Sequence, residues 1–182
     1  VVPELAGRSH LELQDSNVQR ALADADFTLQ NINAIAATSG PGLIGSLLVG
    51  HSYAAALATS LNIPLFSTHH MEAHLWSVEM DREPLPLPFL VLLVSGGHTL
   101  LVLVKEFRNY EIIGSTRDDA LGEAFDKVGK LIGLGFPAGA AIDRAAQLGN
   151  PREIPFPVAM RDTSFDFSFS GLKTAVAYKL RD

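Results

Sequence analysis

The sequence predicts a mixed α/β fold, and three observations carry that reading. Up to about residue 80, short apolar runs of strand length alternate with longer helical patterns. Phe89–Val94 and residues 99–104 and 110–116 then follow one another as three strands separated only by turns, which is an antiparallel meander. The composition is 47% hydrophobic and 19% charged over 182 residues, enough apolar surface for a packed core and too little charge for a disordered chain.

Each element has its own local reason. Pro3–Asp24 reads as a helix, with Leu11, Val18, Leu22 and Ala25 on an apolar stripe and Glu12, Asp15, Gln19 and Arg20 outside it. Residues 32–38 form a short buried strand. Gly40-Pro41-Gly42 forces a turn, and residues 43–60, rich in alanine and leucine, form a helix whose small face packs closely on a sheet. Residues 63–66 are a second strand and 68–80 a helix. Residues 81–88 hold three prolines in an acidic loop, the best internal boundary, which divides the chain into regions 1–87 and 88–182. After the meander, Asp118-Asp119 cap a helix running to Leu131. Residues 133–137 break it, 139–148 resume a helix, and 150–169 are irregular. A last helix begins near Gly171 with Ser170 as its cap and runs to the end of the chain. Because that helix is still in progress there, and Val1 is not an initiator methionine, the sequence reads as a fragment.

Several classes are excluded. With no cysteine there is no disulfide frame, thiolate ligand or cysteine nucleophile. The net charge of −6 rules out binding nucleic acid through the whole surface, so a local basic patch or a partner has to supply any such contact. No run reaches membrane-spanning length, since residues 43–61 are interrupted by glycine, serine and histidine, and no signal peptide is visible.

The strongest chemical signal is His70-Met71-Glu72-Ala73-His74. On a helix, imidazoles four apart share a face and form a bidentate platform for zinc or iron. A zinc protease of the HExxH type needs glutamate directly after the first histidine. Here that position is Met71, and Glu72 points roughly 200° from His70 around the helix, which counts against peptide hydrolysis. Two histidines leave a third ligand to come from elsewhere, and His69 lies on another face. Ser95-Gly96-Gly97-His98-Thr99 joins two strands. A glycine pair there is an ordinary hairpin turn or, with its N–H groups exposed at positive φ, a phosphate loop. Gly40-Pro41-Gly42 is either a plain connection or an anion-facing helix start. Asp118, Asp119, Glu123, Asp126, Lys127 and Lys130 form a solvated helix face, from which Asp126 and, on the next helix, Gly139 and Asp143 could meet a ribose. Phe165, Phe167 and Phe169 alternate as in an extended, half-buried segment. Lys173, in the first turn of the last helix, opposes the helix dipole.

Taken together these segments resemble the universal tRNA threonylcarbamoyladenosine synthase family, once called O-sialoglycoprotein endopeptidases. The resemblance runs in order through Val1-Val2-Pro3-Glu4-Leu5-Ala6 with Arg8 and His10, Ser39-Gly40-Pro41-Gly42-Leu43 and His69-His70-Met71-Glu72-Ala73-His74-Leu75. It continues through Leu93-Val94-Ser95-Gly96-Gly97-His98-Thr99, Asp118-Asp119-Ala120 and Gly122-Glu123-Ala124-Phe125-Asp126-Lys127, and ends in Asp166-Phe167-Ser168-Phe169-Ser170-Gly171-Leu172-Lys173-Thr174. The sequence departs from the usual pattern at Leu121, where alanine is usual, at Ala138, where a first glycine is common, and at Ala140, where proline is frequent.

The resemblance implies an actin-like ATPase fold with ribonuclease H-like subdomains, here incomplete: the remainder of the first subdomain in 1–87 and the start of the second in 88–182. It implies transfer of a threonylcarbamoyl group from threonylcarbamoyl-AMP to N6 of adenosine 37 in tRNAs reading codons that begin with A, releasing AMP, with the fragment itself inactive. His70 and His74 are the implied ligands of one divalent metal ion, iron or zinc. Leu93, Val94, Ser95, Gly96 and Gly97 are the implied substrate loop, and Asp126, Gly139 and Asp143 the implied contacts to an AMP-like nucleotide. His98 and the substrate phosphate are the candidate general bases. The implied partners are tRNA, a paralogous subunit of the same fold and an ATPase subunit, with no membrane, in the bacterial cytoplasm or else in a mitochondrion or plastid. Two rivals stay open: a sugar- or acetate-kinase-like phosphotransferase, which needs no histidine pair, and a catalytically silent paralogue that serves as a complex-forming module.

Overall fold

The computed structural model describes residues 2–181, in two compact units that divide between Asp81 and Arg82, ahead of the break expected at 87/88. The first unit is built on parallel pairing. Helix α1 (Pro3–Asp24) leads to strand β1 (Ile35–Gly40), helix α2 (Ile44–Leu61), strand β2 (Leu65–His69), the short helix α3 (His70–Trp76) and a 3-10 turn at Ser77–Glu79. β1 and β2 run parallel, with Ile35 opposite Leu65 and Thr38 opposite Thr68. A parallel pair needs a crossover, which α2 supplies, packing on β1 and on α1.

Four expectations change here. The strand at 32–38 is neither buried nor so early: it begins at Ile35 and alternates between half-buried and exposed, because α2 covers one face of a two-stranded sheet. The second strand runs to His69 instead of stopping at 66. Its ladder captures Thr68 and His69 opposite Thr38 and Gly40, and that shortens the helix expected at 68–80 to seven residues. On α1, Leu11 stays 71% exposed. The face toward α2 is instead Gly7, Gln14, Val18 and Leu22, with the Gln14 amide donating to the Gly50 carbonyl at 3.4 Å and the Tyr53 hydroxyl to Asp15 at 3.0 Å. Finally, glycine, serine and histidine do not interrupt α2. It is one continuous helix of 18 residues, long and apolar enough by length and composition to cross a membrane, and its Ala54 and Ala58 are buried. Asn62 ends it in the left-handed conformation at φ 52°, a common helix stop.

The second unit is an antiparallel meander, β3 (Phe89–Val94), β4 (Thr99–Glu106) and β5 (Asn109–Ser115), in that order across the sheet. Val91 faces Val102 and Leu93 faces Leu100. Val91, Leu93, Val102 and Val104 are buried, joined by Ala120, Ala124 and Ala138 from the helical layer. That layer holds α4 (Leu121–Leu131), α5 (Gly139–Ala146) and α6 (Ser170–Lys179), with α4 packed against both of the others. The extended segment before α6 lies along the end of β5, Phe167 pairing in parallel with Thr116. Phe167 and Phe169 are half-buried, whereas Phe165 stays 62% exposed. α6 runs from Ser170 to Lys179, with Leu180 as its C-terminal flank.

Candidate functional site

His70 opens α3, where strand β2 hands over to helix, His74 lies one turn on, and both are exposed. Their Nε2 atoms are 3.3 Å apart and their rings meet edge to face. That separation is within hydrogen-bond range with one ring donating. It also fits a shared metal ion: with metal–nitrogen bonds of about 2.0–2.1 Å, nitrogens 3.3 Å apart subtend roughly 105–110°, near tetrahedral. The donor set suits zinc or iron. Among the described residues no third histidine, cysteine, aspartate or glutamate completes a metal-binding group with them.

In the second unit, one face of α4 organises the other expected residues. Gly122, Asp126 and Gly129, at i, i+4 and i+7, lie along that face. Gly122 meets the turn after β3 so closely that a Cβ there would stand 2.6 Å from the Ser95 carbonyl oxygen, which accepts the Gly122 N–H at 3.2 Å. Thr99, 1% exposed, accepts the Leu121 N–H on its hydroxyl at 2.8 Å. The first two N–H groups of α4 therefore anchor the turn. At the far end, Asp126 accepts the Ala138 N–H at 2.7 Å, and Gly129 leaves the space that the Ala138 methyl fills.

The turn itself differs from the expectation of free N–H groups at positive φ. Ser95 Oγ accepts the Gly97 and His98 N–H groups at 3.3 and 3.0 Å, so both are already satisfied. Neither Gly96 nor Gly97 is in the left-handed region. A Cβ added at either would meet nothing within 4 Å. Glycine is thus required here neither by the backbone nor by the packing, and what it provides is open space above the turn. Leu93 belongs to the sheet core, so its share in the loop is confined to its backbone, whereas Val94 is 45% exposed and His98 is exposed. The structure brings Ser95, Gly96 and Gly97 to one end of the α4 face and Asp126 and Gly139 to the other. Gly139 begins α5 with open space above it, and Asp143 lies exposed on the next turn.

Asp118 and Asp119 do not cap α4, whose N-terminal flank is Ala120 with no side-chain cap. Asp118 reaches across to α6. It accepts from the Ser168 hydroxyl at 2.6 Å, the Phe169 N–H at 2.8 Å, the Ser170 N–H at 3.2 Å and the Ser170 hydroxyl at 2.7 Å. Desolvation opposes its ionisation, but these hydrogen bonds prevail and hold the carboxyl well below the usual carboxylate range. Ser170 is accordingly the first helical residue of α6 and a donor to Asp118, not the cap. Asp119 is held below its ordinary value chiefly by the Lys127 ammonium at 2.7 Å, with Lys173 at 3.6 Å adding to it. That pairing accounts for Lys173, whose charge against the helix dipole is offset by Asp119.

Sequence reasoning missed Gly122 and Gly129. Their signal was present: glycine inside a helix costs about 1 kcal/mol relative to alanine, which invites a packing reason.

The family model described as tRNA N6-adenosine threonylcarbamoyltransferase matches residues 1–182. The chain is similar to proteins of that name from Salinibacter ruber (55% identical over 182 residues), Clostridioides difficile (53% over 177) and Syntrophotalea carbinolica (53% over 179). The matches cover 100%, 97% and 98% of this chain but 54%, 52% and 52% of those proteins. The chain spans about half the length of the curated relatives it matches.

Proposed function

The chain belongs to the tRNA N6-adenosine threonylcarbamoyltransferase family, and from that premise we propose that the full-length protein moves a threonylcarbamoyl group from threonylcarbamoyl-AMP to N6 of adenosine 37 in tRNAs reading codons that begin with A. The new bond joins N6 to the carbamoyl carbon, AMP leaves with the mixed-anhydride bond electrons, and N6 gives up one proton. The actin-like architecture with ribonuclease H-like subdomains, a paralogous subunit and an ATPase subunit as partners, and the bacterial cytoplasm as setting belong to the same reading.

The observation that carries it is the convergence of the His70 and His74 Nε2 atoms at 3.3 Å on an exposed face of α3. A phosphotransferase of the kinase type has no use for that pair. His70 and His74 would hold one divalent ion, zinc or iron, which when bound supplies Lewis-acid polarisation of the transferred group and its phosphate. The chain's own residues supply position. The turn at 95–97, fixed by Ser95 Oγ and by the start of α4, offers an open backbone surface to the acyl-adenylate. Asp126, with one oxygen committed to Ala138, keeps the other for a ribose hydroxyl. The exposed imidazole of His98 stands on the same turn as a candidate proton acceptor. An aromatic amine is a weak nucleophile, so holding reactants in place contributes much of the rate.

The test uses cells depleted of their own enzyme and complemented with the full-length gene, wild type or His70→Ala, followed by nucleoside mass spectrometry of tRNA. The modified nucleoside returns with wild type only. Its return with both would take the histidine out of the reaction. Its return with neither, both proteins being folded and joined to their partners, would overturn the transferase reading.

A further inference from the structure

A second surface of α4 is unused by these contacts. Lys130, Lys127 and Leu131 lie roughly 75°, 130° and 175° around the helix from the Gly122–Asp126–Gly129 face, by 100° per residue. They form one wall of an open groove of about 700 Å³ whose other wall is α6, with Lys173, Thr174 and Tyr178, and the turn after it, with Arg181. Four of its lining residues are cationic and none is acidic, in a chain whose net charge is −6. Two of the cations are tethered. Lys127 is held by Asp119 and Glu123 at 2.7 and 2.8 Å, and Lys173 stands 3.6 Å from Asp119. The other two are available. Lys130 and Arg181 are exposed and make no ion pair among the described residues, Arg181 lying 6.0 Å over the Tyr178 ring.

We infer that this groove is a phosphodiester-binding surface that holds the backbone of the RNA substrate. The inference rests on the transferase reading and adds to it the place where the RNA is gripped. Several features favour a polynucleotide backbone over a small anion. The groove is open, its cations are spread over two helices and the turn after the second on long flexible stems, and none is buried as a mononucleotide phosphate site would require. Long cations with hydroxyl donors such as Thr174 and an aromatic face such as Tyr178 suit sequence-independent backbone contact and base stacking. The groove also shares α4 with the turn at 95–97, so an elongated substrate gripped at one face of the helix is presented along the other.

The experiment uses the full-length protein assembled with the partner subunits it requires. Binding of fluorescent substrate tRNA is measured across a salt series for wild type, Lys130→Glu, Arg181→Glu, and the conservative Lys130→Arg and Arg181→Lys. Thermal unfolding, AMP binding and subunit assembly are read alongside. Each charge reversal is expected to weaken tRNA at least about fivefold and to lower the log–log salt slope by about one. It acts equally on a tRNA altered at position 37, and leaves AMP affinity and unfolding unchanged, while the conservative variants keep the wild-type slope. Wild-type affinity and slope in both reversals would overturn the inference. So would a loss confined to tRNA with adenosine at position 37, an equal loss of AMP, or loss of subunit assembly, which would make the groove a docking face for an acidic protein. If wild type neither bound tRNA nor carried out transfer, the transferase reading would fall and take this one with it. Binding and transfer by wild type with unaffected reversals would overturn the groove alone.

Discussion

Asp118 closes the first turn of a helix that starts with Ser170. One carboxylate oxygen takes the Phe169 and Ser170 N–H groups, and the other takes the Ser168 and Ser170 hydroxyls. A helix start leaves its first N–H groups without partners inside the helix, and here the acceptor comes from the loop preceding α4. The same loop places Asp119 beside Lys127 and Lys173, so two adjacent carboxylates tie α4 and α6 together.

Asp118→Ala in the full-length protein is expected to destabilise it by about 0.5–2 kcal/mol, in the lower half of that range because the residue is solvent-exposed. Its pH dependence has a definite sign. A carboxyl held below its unfolded value of about 3.9 contributes stability that is complete well above that pH and is lost as the pH falls toward the folded value. Asp119 and Asp166, whose carboxyls are also lowered, act in the same direction. Thermal midpoints measured from about pH 7 to pH 2 should therefore fall on the acid side for wild type, and less steeply for Asp118→Asn.

Gly129→Ala is expected to cost about 1–3 kcal/mol by overpacking, because the added methyl would stand 2.0 Å from that of Ala138. Adding Ala138→Gly should restore most of the loss, since the remaining neighbours are at ordinary contact distance, 3.4 Å or more. Denaturant unfolding of the two single variants and the double variant measures the coupling. Additive losses would mean that the two residues do not compete for one space.

Gly96→Ala and Gly97→Ala separate packing from ligand space. Neither methyl meets an atom of the chain and neither backbone is left-handed. Stability should be unchanged or raised by about 0.4–1 kcal/mol through the unfolded state. Transfer activity should fall at least about tenfold as the methyl enters the substrate's path, since misplacement by about 1 Å costs up to 100-fold. Full activity with unchanged stability would show that nothing approaches the turn.

His70→Ala and His74→Ala should each remove the bound ion, measured as metal content after gel filtration. The loss of affinity should exceed the roughly 10–100-fold that outer-shell partners cost, with the thermal midpoint nearly unchanged because both rings are exposed. A collapse of the fold would instead make the pair structural.

Much of this was legible in the sequence because it is local. The meander strands, the helix from Pro3 to Asp24 and the crossover helix follow from periodicity and turn residues. The i, i+4 spacing of His70 and His74 anticipates their convergence. Several of the failures involve partners far along the chain. The helix expected at 68–80 lost its beginning to the strand ladder with β1. Asp118 looks like a cap for the helix that follows it, and only the tertiary fold reveals that its donors are at 168–170. Ser95 is a local case: its hydroxyl occupies the Gly97 and His98 N–H groups that the glycine pair seemed to leave free, a choice that spacing alone does not reveal. Ala138 looked like a flaw in a loop that favours glycine, yet its methyl is 0% exposed and fills the space left by Gly129.

The α4 face that carries Gly122, Asp126 and Gly129 behaves as a ruler. Seven residues of helix rise about 10 Å, and each end is fixed by a short contact: the Ser95 carbonyl against Gly122 at one end, and at the other the Asp126 carboxylate holding the Ala138 N–H while the Ala138 methyl seats on Gly129. Whatever spans from the turn to α5 is gauged against a rigid peptide rod, and solvent-side substitutions on α4 leave that gauge untouched.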